Sequence, residues 1–379
     1  MAAFVNGLSG ALVLITTAPA LMSLFNLLTA PRLSSKAGGE LQHSATLSVL
    51  IPVRNEKANL LETLPALRRA FDRMDFLESQ CEIVFLDDGS TDSSDEAIRR
   101  AGFKVIPGKP LPAGWTGKNW ACHQLSLQAT KTHLLFMDAD VKPGPEALRD
   151  TLRQFKSGKL SALTALPGQR MGSLSEFLVI PWVMHLSILG SLPLALASRF
   201  GFESQALGNG QWIAFSRKTY ERIGGHAAVK ASWLEDMQMA RLAVRSGGVL
   251  QVFLGASELE VRMYRDSEQL RQGFGKNLYL LTGQSLLASA SLGVLILSAG
   301  WSPFFLLALG KIELALISLA AVGIWRAAAA RAFGLGLGHF LGQWFLGHAL
   351  GSLAVVRLLF LSVLDHRLKR ARWKGRALP

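Results

Sequence analysis

The sequence predicts an α/β fold, a mainly parallel sheet flanked by helices, set between N-terminal and C-terminal transmembrane helices. Three observations predict it. Both ends carry long uncharged apolar stretches, the middle alternates short apolar runs with polar helical ones, and three of those runs end in acidic or mixed-charge clusters. Half of the 379 residues are apolar and only 18 % are charged, against the quarter usual for soluble domains. This balance excludes intrinsic disorder and an ordinary soluble enzyme. Two cysteines exclude a disulfide framework.

The N-terminal element comes first. Residues Met1 to Pro31 contain no Lys, Arg, Asp or Glu, and about 20 apolar residues suffice to span a bilayer. The opening MAAFVNGL lacks the basic n-region of a cleaved signal peptide, so residues 1–31 are expected to form an anchor, with Arg32 and Lys36 following it on the cytoplasmic side. At the other end, Asn277 to Gly310 is again uncharged, with Trp301-Ser302-Pro303 as the expected break between two helices. Lys311 and Glu313 then sit awkwardly within the second. Ala332 to Leu364 is apolar, Gly-rich and interrupted by Arg357. The tail 365–379 holds six Lys/Arg and one Asp, which reads as a juxtamembrane basic segment. Much of the formal charge of +13 therefore belongs to membrane flanks, and nucleic acid is not an expected partner. A cytoplasmic tail favours an even number of C-terminal crossings.

The middle elements follow. Leu47 to Val53, Cys81 to Leu86, Phe103 to Ile106 and His133 to Met137 read as buried strands, and Glu56 to Met74, Thr91 to Ala101 and Lys118 to Ala129 as helices. Such alternation gives a parallel sheet whose ligands sit at the carboxyl ends of its strands. Pro52-Val53-Arg54-Asn55-Glu56, Asp87-Asp88-Gly89-Ser90 and Asp138-Ala139-Asp140 occupy three such ends. Each alone is also ordinary turn chemistry. Asp138 and Asp140, at i and i+2 in extended backbone, point the same way, and two carboxylates completed by substrate phosphates suit Mg²⁺. No GxxxxGK[ST] and no GxGxxG follows the first strand, which weakens P-loop and dinucleotide readings.

The ordered set IPVRNE (51–56), FLDDGSTD (85–92), MDADVKP (137–143) and WLEDMQMA (233–240) resembles family 2 glycosyltransferases of the nucleotide-diphospho-sugar, A-type fold, over about Leu47 to Asn277. GWTGKNWAC (114–122) and RMYRDSEQLRQGFGKN (262–277) resemble the membrane-bound bacterial subgroup associated with hopanoid and carotenoid glycosylation. The resemblance implies a nucleotide bordered by Pro52, Arg54 and Glu56 and contacted by Asp88 with Asp87. It implies Mg²⁺ or Mn²⁺ on Asp138 and Asp140, with Lys118 adding positive charge near the diphosphate. It makes Asp236 the catalytic base, with Glu235 beside it. Ser232-Trp233-Leu234-Glu235 also fits a capping box opening a helix at Glu235. Where processive synthases of the family carry Gln-x-x-Arg-Trp, this chain has Gln272-Gly273-Phe274-Gly275-Lys276-Asn277, with Lys276 the candidate replacement on the diphosphate.

The expected organisation is an anchor (1–31), a cytoplasmic catalytic domain (45–277), C-terminal transmembrane or interfacial helices (278–364) and a basic cytoplasmic tail (365–379). Phe177 to Ser198 is uncharged and long enough to cross. One crossing there would put Asp138 and Asp236 on opposite sides of a bilayer, so it is expected at the interface, beside an acceptor that arrives from lipid, with a buried core helix pair as the alternative. His123, His133, His185 and His226 show no ligand spacing, and Cys81 and Cys122 read as small core residues. The expected function is a membrane-bound, inverting, metal-dependent transfer of sugar from a nucleotide diphosphate to a lipid acceptor, an isoprenoid among the candidates. A polysaccharide-extending or polyprenyl-phosphate sugar transferase, or an inactive nucleotide-sugar-binding scaffold, are the alternatives.

Overall fold

A computed structural model describes residues 2–33, 45–74, 80–156, 158–191, 193–195, 203–370, 372–373 and 376–377. Lys36, part of the Phe177–Ser198 segment (192, 196–198) and tail positions 371, 374, 375, 378 and 379 lie outside the described residues. The chain forms two compact units, one of Ala30–Gln169 with Leu194–Val261, the other of Met1–Thr29, Arg170–Pro193 and Arg262–Pro379.

The first unit is built on strands β1 (Leu47–Val53), β2 (Cys81–Asp87), β3 (Lys104–Pro107), β4 (His133–Met137), β5 (Val141–Pro143), β6 (Ala162–Leu166), β7 (Gly168–Gln169), β8 (Trp212–Ser216), β9 (Leu250–Leu254) and β10 (Leu259–Val261). Seven of them make one sheet in the order β3-β2-β1-β4-β8-β6-β9, and β5-β10-β7 make a smaller one. The sheet is mixed but mostly parallel. β1 pairs parallel with β2 and β4, β2 with β3 and β6 with β9, while β8 runs antiparallel to β4 and β6. β1, β2 and β4 are nearly continuous apolar runs because helices cover both faces. Chain order reverses at β1, whose neighbours are β2 on one side and β4 on the other, which is where α/β sheets open a ligand crevice.

Both sheet edges are blunted. On the β9 side, Leu254 N–H donates to Pro31 O (2.9 Å) and Leu33 N–H to Leu254 O (3.0 Å), so residues 31–33 run along the strand. On the other side, β3 is four residues long with Lys104 and Pro107 exposed at its ends.

The second unit is helical. Helices Ala2–Thr29, Leu286–Ala308, Ile312–Ala332 and His348–Arg367 are long and apolar enough to cross a membrane. Their burial is inverted relative to a soluble bundle. In Ala2–Thr29, Ser9, Thr16, Ser23 and Asn26 are buried at helical spacing, whereas Phe4 and Leu28 are 74 % and 75 % exposed. Thr16, Ser302 and Ser318, one from each of three helices, join through their hydroxyls, with Ser302–Ser318 at 2.6 Å and Thr16–Ser318 at 3.1 Å. Small and hydroxylated residues at helix contacts with bulky apolar ones outside is the pattern lipid selects.

Two expectations about this unit change. The helix does not break at Trp301-Ser302-Pro303; it runs through Pro303 to Ala308, and the turn comes at Gly310, whose φ of +71° suits a residue without a Cβ. Pro303 deprives the Ala299 carbonyl of its N–H. Lys311 and Glu313 consequently lie at the start of the next helix, where Lys311 Nζ donates to Asn6 Oδ1 at 3.1 Å.

Three C-terminal helices, rather than an even number, are long enough to span. The last one nevertheless ends beside Ser267–Leu281, the helix that leads into Leu286–Ala308. Arg271 pairs with Asp365 at 3.0 Å, Tyr279 N–H donates to Ser362 Oγ at 3.0 Å, and His366 meets Lys276 O at 3.0 Å. Gly300 lies against Ser352 and Gly293 against Val356, so helices 286–308 and 348–367 are antiparallel. Asp365–Arg370 therefore emerges at the end of the unit where Leu286–Ala308 begins.

Candidate active site

Three strand ends supply the site. After β1, the chain turns through Asn55, whose φ is +53°. Asn55 N–H donates to Ser90 Oγ (2.9 Å) and Asn55 Oδ1 accepts from Thr91 N–H (2.8 Å), which stitches the β1 and β2 ends together. Arg54 Nη1 donates to the Asp88 carbonyl at 2.8 Å and approaches its carboxylate at 3.7 Å. The Asp87 carboxylate accepts from Ser90 N–H and thus shapes the turn. Glu56 accepts from Asn59 Nδ2 at 2.7 Å, and Pro52 lies within β1 opposite Leu86. Asp138 follows β4 directly, its N–H donating to Gln211 O at 3.3 Å, and Asp140 stands two residues on.

The tightest cluster forms around Lys118, in the first turn of helix Gly117–Gln128. Thr116 caps that helix, its side chain accepting from Asn119 N–H. Lys118 Nζ bridges Asp138 Oδ1 at 2.8 Å and Glu235 Oε1 at 3.0 Å. Asp236 lies beside them, its Oδ2 accepting from Gly210 N–H and its Oδ1 from Met237 N–H, both at 2.8 Å. A Cβ at Gly210 would stand 2.8 Å from Lys118 Nζ and 3.3 Å from Asp236 Oδ2, so a side chain there would displace the ammonium. Burial and the Glu235 charge push the Asp236 carboxyl up to about 6, against the lowering pull of Lys118 and the two N–H donors. Burial would lower Lys118, but Asp138 and Glu235 outweigh it and hold the ammonium well above its ordinary value.

The expected capping box does not form. The helix starts at Glu235 itself, so Glu235 occupies the first helical position instead of the third, Ser232 Oγ accepts from Leu234 N–H, and the Glu235 carboxylate turns to Lys118.

Sequence reasoning missed the residue that holds this cluster in register. Buried Asn119 donates through Nδ2 to the carbonyls of Val229 (2.8 Å), Lys230 (3.2 Å) and Ser232 (2.9 Å), and Thr116 N–H donates to Lys230 O (2.8 Å). The start of one helix is thereby fastened to the loop that delivers Glu235 and Asp236. A buried amide beside a lysine in a Gly-rich loop was the signal available. Lys276 lies on helix Ser267–Leu281, in the helical unit. His226 is buried and bonded to the Tyr220 hydroxyl at 2.9 Å, and both cysteines are buried and free.

Among the described residues, no group of three or more His, Cys, Asp or Glu side chains gathers as a metal site. The backbone between Asp138 and Asp140 is turned, with Val141 N–H donating to Asp138 O at 3.2 Å, and not extended as expected; as hard-oxygen donors the two carboxylates suit an ion that takes its remaining ligands from phosphates and water. Lys118 already places a cation on Asp138.

Residues 48–224 match the model for Glycosyl transferase family 2. The chain is 25 % identical over 253 residues to a 4,4'-diaponeurosporenoate glycosyltransferase from Staphylococcus haemolyticus, covering 64 % of this chain and 63 % of that protein. It is 35 % identical over 107 residues to an undecaprenyl-phosphate 4-deoxy-4-formamido-L-arabinose transferase from Edwardsiella ictaluri, covering 27 % and 31 %. The match thus spans less than two thirds of either relative. Among solved structures, a mannosyltransferase from Pyrobaculum calidifontis, in complex with GDP-Man and Mn2+, is similar in fold, with a TM-score of 0.55 at 17 % identity over 96 % of this chain and 99 % of that one. Residues 48–224 thus match a glycosyl transferase family 2 domain, and they hold the mixed, mostly parallel sheet with acids at the ends of β1, β2 and β4.

Proposed function

We propose that the chain is a membrane-bound, inverting glycosyltransferase that moves a sugar from a nucleotide-diphosphate donor to a lipid acceptor. The observation that carries this reading is the junction at Lys118, which ties Asp138 at the end of β4 to Glu235 beside Asp236. Arg54, Glu56 and Asp88 border the nucleotide, with Pro52 and Asp87 shaping the strand ends. Asp138 and Asp140 would hold a divalent cation, Mg²⁺ or Mn²⁺, which when bound would neutralise charge on the donor diphosphate. Lys118 adds positive charge on the same side. Asp236 accepts the proton of the acceptor hydroxyl as that oxygen attacks the anomeric carbon opposite the departing diphosphate. A carboxyl raised to about 6 is a stronger base than an ordinary one and still ionised at neutral pH. Glu235 steadies Lys118. The relatives' names and the lipid-facing pattern of the helical unit support a lipid acceptor. Nucleotide sugars are cytoplasmic metabolites, which supports a catalytic unit on the cytoplasmic side.

The test is a panel of nucleotide sugars offered to the full chain in detergent with extracted membrane lipids, the product read by mass. A glycosylated lipid should form only with Mg²⁺ or Mn²⁺, and Asp236→Asn should keep donor binding while transfer falls about 10²- to 10⁴-fold. Equal activity in excess chelator would remove the metal from the reading, and transfer surviving in the Asn variant would place the base elsewhere.

A further inference from the structure

Arg326 lies within the helix Ile312–Ala332, six residues or about 9 Å from its end. That is close enough for a long side chain to reach the membrane surface, yet Arg326 is 2 % exposed. It turns inward and donates through Nε to His348 Nδ1 at 2.9 Å. A guanidinium cannot accept, so His348 carries its proton on Nε2. The guanidinium carbon stands 5.5 Å from the Trp182 ring, which stacks on the His348 imidazole and donates to the His348 carbonyl. Among the described residues, Nη1 and Nη2 of Arg326 have no hydrogen-bond partner and no carboxylate lies within ion-pair distance of it. His185, stacked on Phe333 nearby, likewise has both ring nitrogens unpartnered.

A buried cation with two unused donors costs several kcal/mol in an apolar surround, and one ring face offsets only part of that. The backbone around it is irregular at two places. Pro181–Leu186, which carries Trp182 and His185, and Gln343–Gly347, which leads into His348, are both π-helical, a form that recurs where helices bind something.

We propose that Arg326, with Trp182 and His348, forms a site inside the helical unit for the oxyanion of an amphiphile, a carboxylate or a phosphate on an apolar chain. The planar fork of Nη1 and Nη2 matches either anion with two parallel hydrogen bonds. Trp182, Trp325 and Phe333 line the surround with aromatic carbon, and only a lipid-soluble molecule reaches such a depth. The site does not depend on the proposed glycosyl transfer and is tested without it.

Tryptophan fluorescence provides the readout, with Trp182 and Trp325 two of the nine tryptophans and the ester as the control for quenching at the others. The full chain in neutral detergent is titrated with brominated oleic acid, its methyl ester and a brominated phosphatidic acid, and tryptophan quenching is followed. The acid, the phosphate or both should quench saturably, with the ester requiring at least about tenfold higher concentration. Arg326→Gln should abolish that preference, and Arg326→Lys, which keeps the charge and loses the fork, should retain part of it. Equal quenching by acid and ester in the unaltered chain would overturn the proposal whether or not the variants fold. So would a folded Gln variant with its preference intact. Preference for carboxylate alone or phosphate alone supports the site and names its ligand.

Discussion

The two units of this chain sort their residues by opposite rules. In the sheet unit, Leu50, Phe85, Leu134 and Phe215 are fully or almost fully buried, while Arg54 and Asp88, and Lys118 and Asp138, meet at strand ends and buried Asp150 pairs with Arg153. In the helical unit, Ser9, Thr16, Ser302 and Ser318 lie inside while Phe4, Leu28, Leu287 and Val294 face out. One sequence is thus written for two solvents. An exposed leucine is incidental in one unit and part of the solvent match in the other, so burial alone says little about what a residue is for.

The largest expected effect breaks that comparison directly. Val294, 63 % exposed within Leu286–Ala308, and Leu61, 70 % exposed on helix Lys57–Asp72, look alike by exposure. Val294→Asp should cost about 2.5–3.5 kcal/mol of insertion and deplete the protein from the membrane fraction. Leu61→Asp should change stability by no more than about 0.5 kcal/mol. Equal loss in both variants, measured by membrane yield and thermal unfolding in detergent, would remove the two-solvent reading.

The second effect concerns how each unit holds its polar groups. Asn119→Ala leaves the carbonyls of Val229, Lys230 and Ser232 without their amide donor and should cost about 1–3 kcal/mol. It should reduce transfer further than the fall in folded fraction explains, because Lys118 and Glu235 lose their common fastening. The smallest effect is in the pH profile. With Asp236 raised to about 6 and required ionised, kcat/KM should fall as pH drops through about 6 and level off above it. Lys118 lowers Asp236, so Lys118→Gln should move the acid limb to higher pH. A limb that stays in place would separate Lys118 from the base.

Much of the sheet was readable because buried parallel strands are apolar runs ending in turn residues. β1 and β4 fall on the expected residues, and β2 and β3 end within one residue of them. β6, β7 and β9 were not readable: Ala162–Leu166 is short and rich in small residues, and its strand character comes from pairing with β8 and β9. The motifs placed Asp138, Lys118, Glu235 and Asp236 in one site before any geometry was known, but their mutual contacts were not in the pattern. The Asn119 latch leaves only a faint local trace, an amide beside a lysine in a Gly-rich loop, and the inward turn of Arg326 leaves none, since each is set by residues far along the chain. Pro303 misled because a proline in water commonly ends a helix, while among packed apolar helices the surroundings tolerate it and Leu286–Ala308 runs on through it.

The blunted sheet edges carry a consequence for expression and assembly. A twisted sheet with a bare edge recruits strands from other copies, a hazard for a chain made beside a crowded membrane. Residues 31–33 sit along β9, and β3 is short with Lys104 and Pro107 at its ends. Self-association of this unit by strand addition is therefore disfavoured once folding is complete. Aggregation in overexpression should originate in chains whose residues 31–33 have not yet docked.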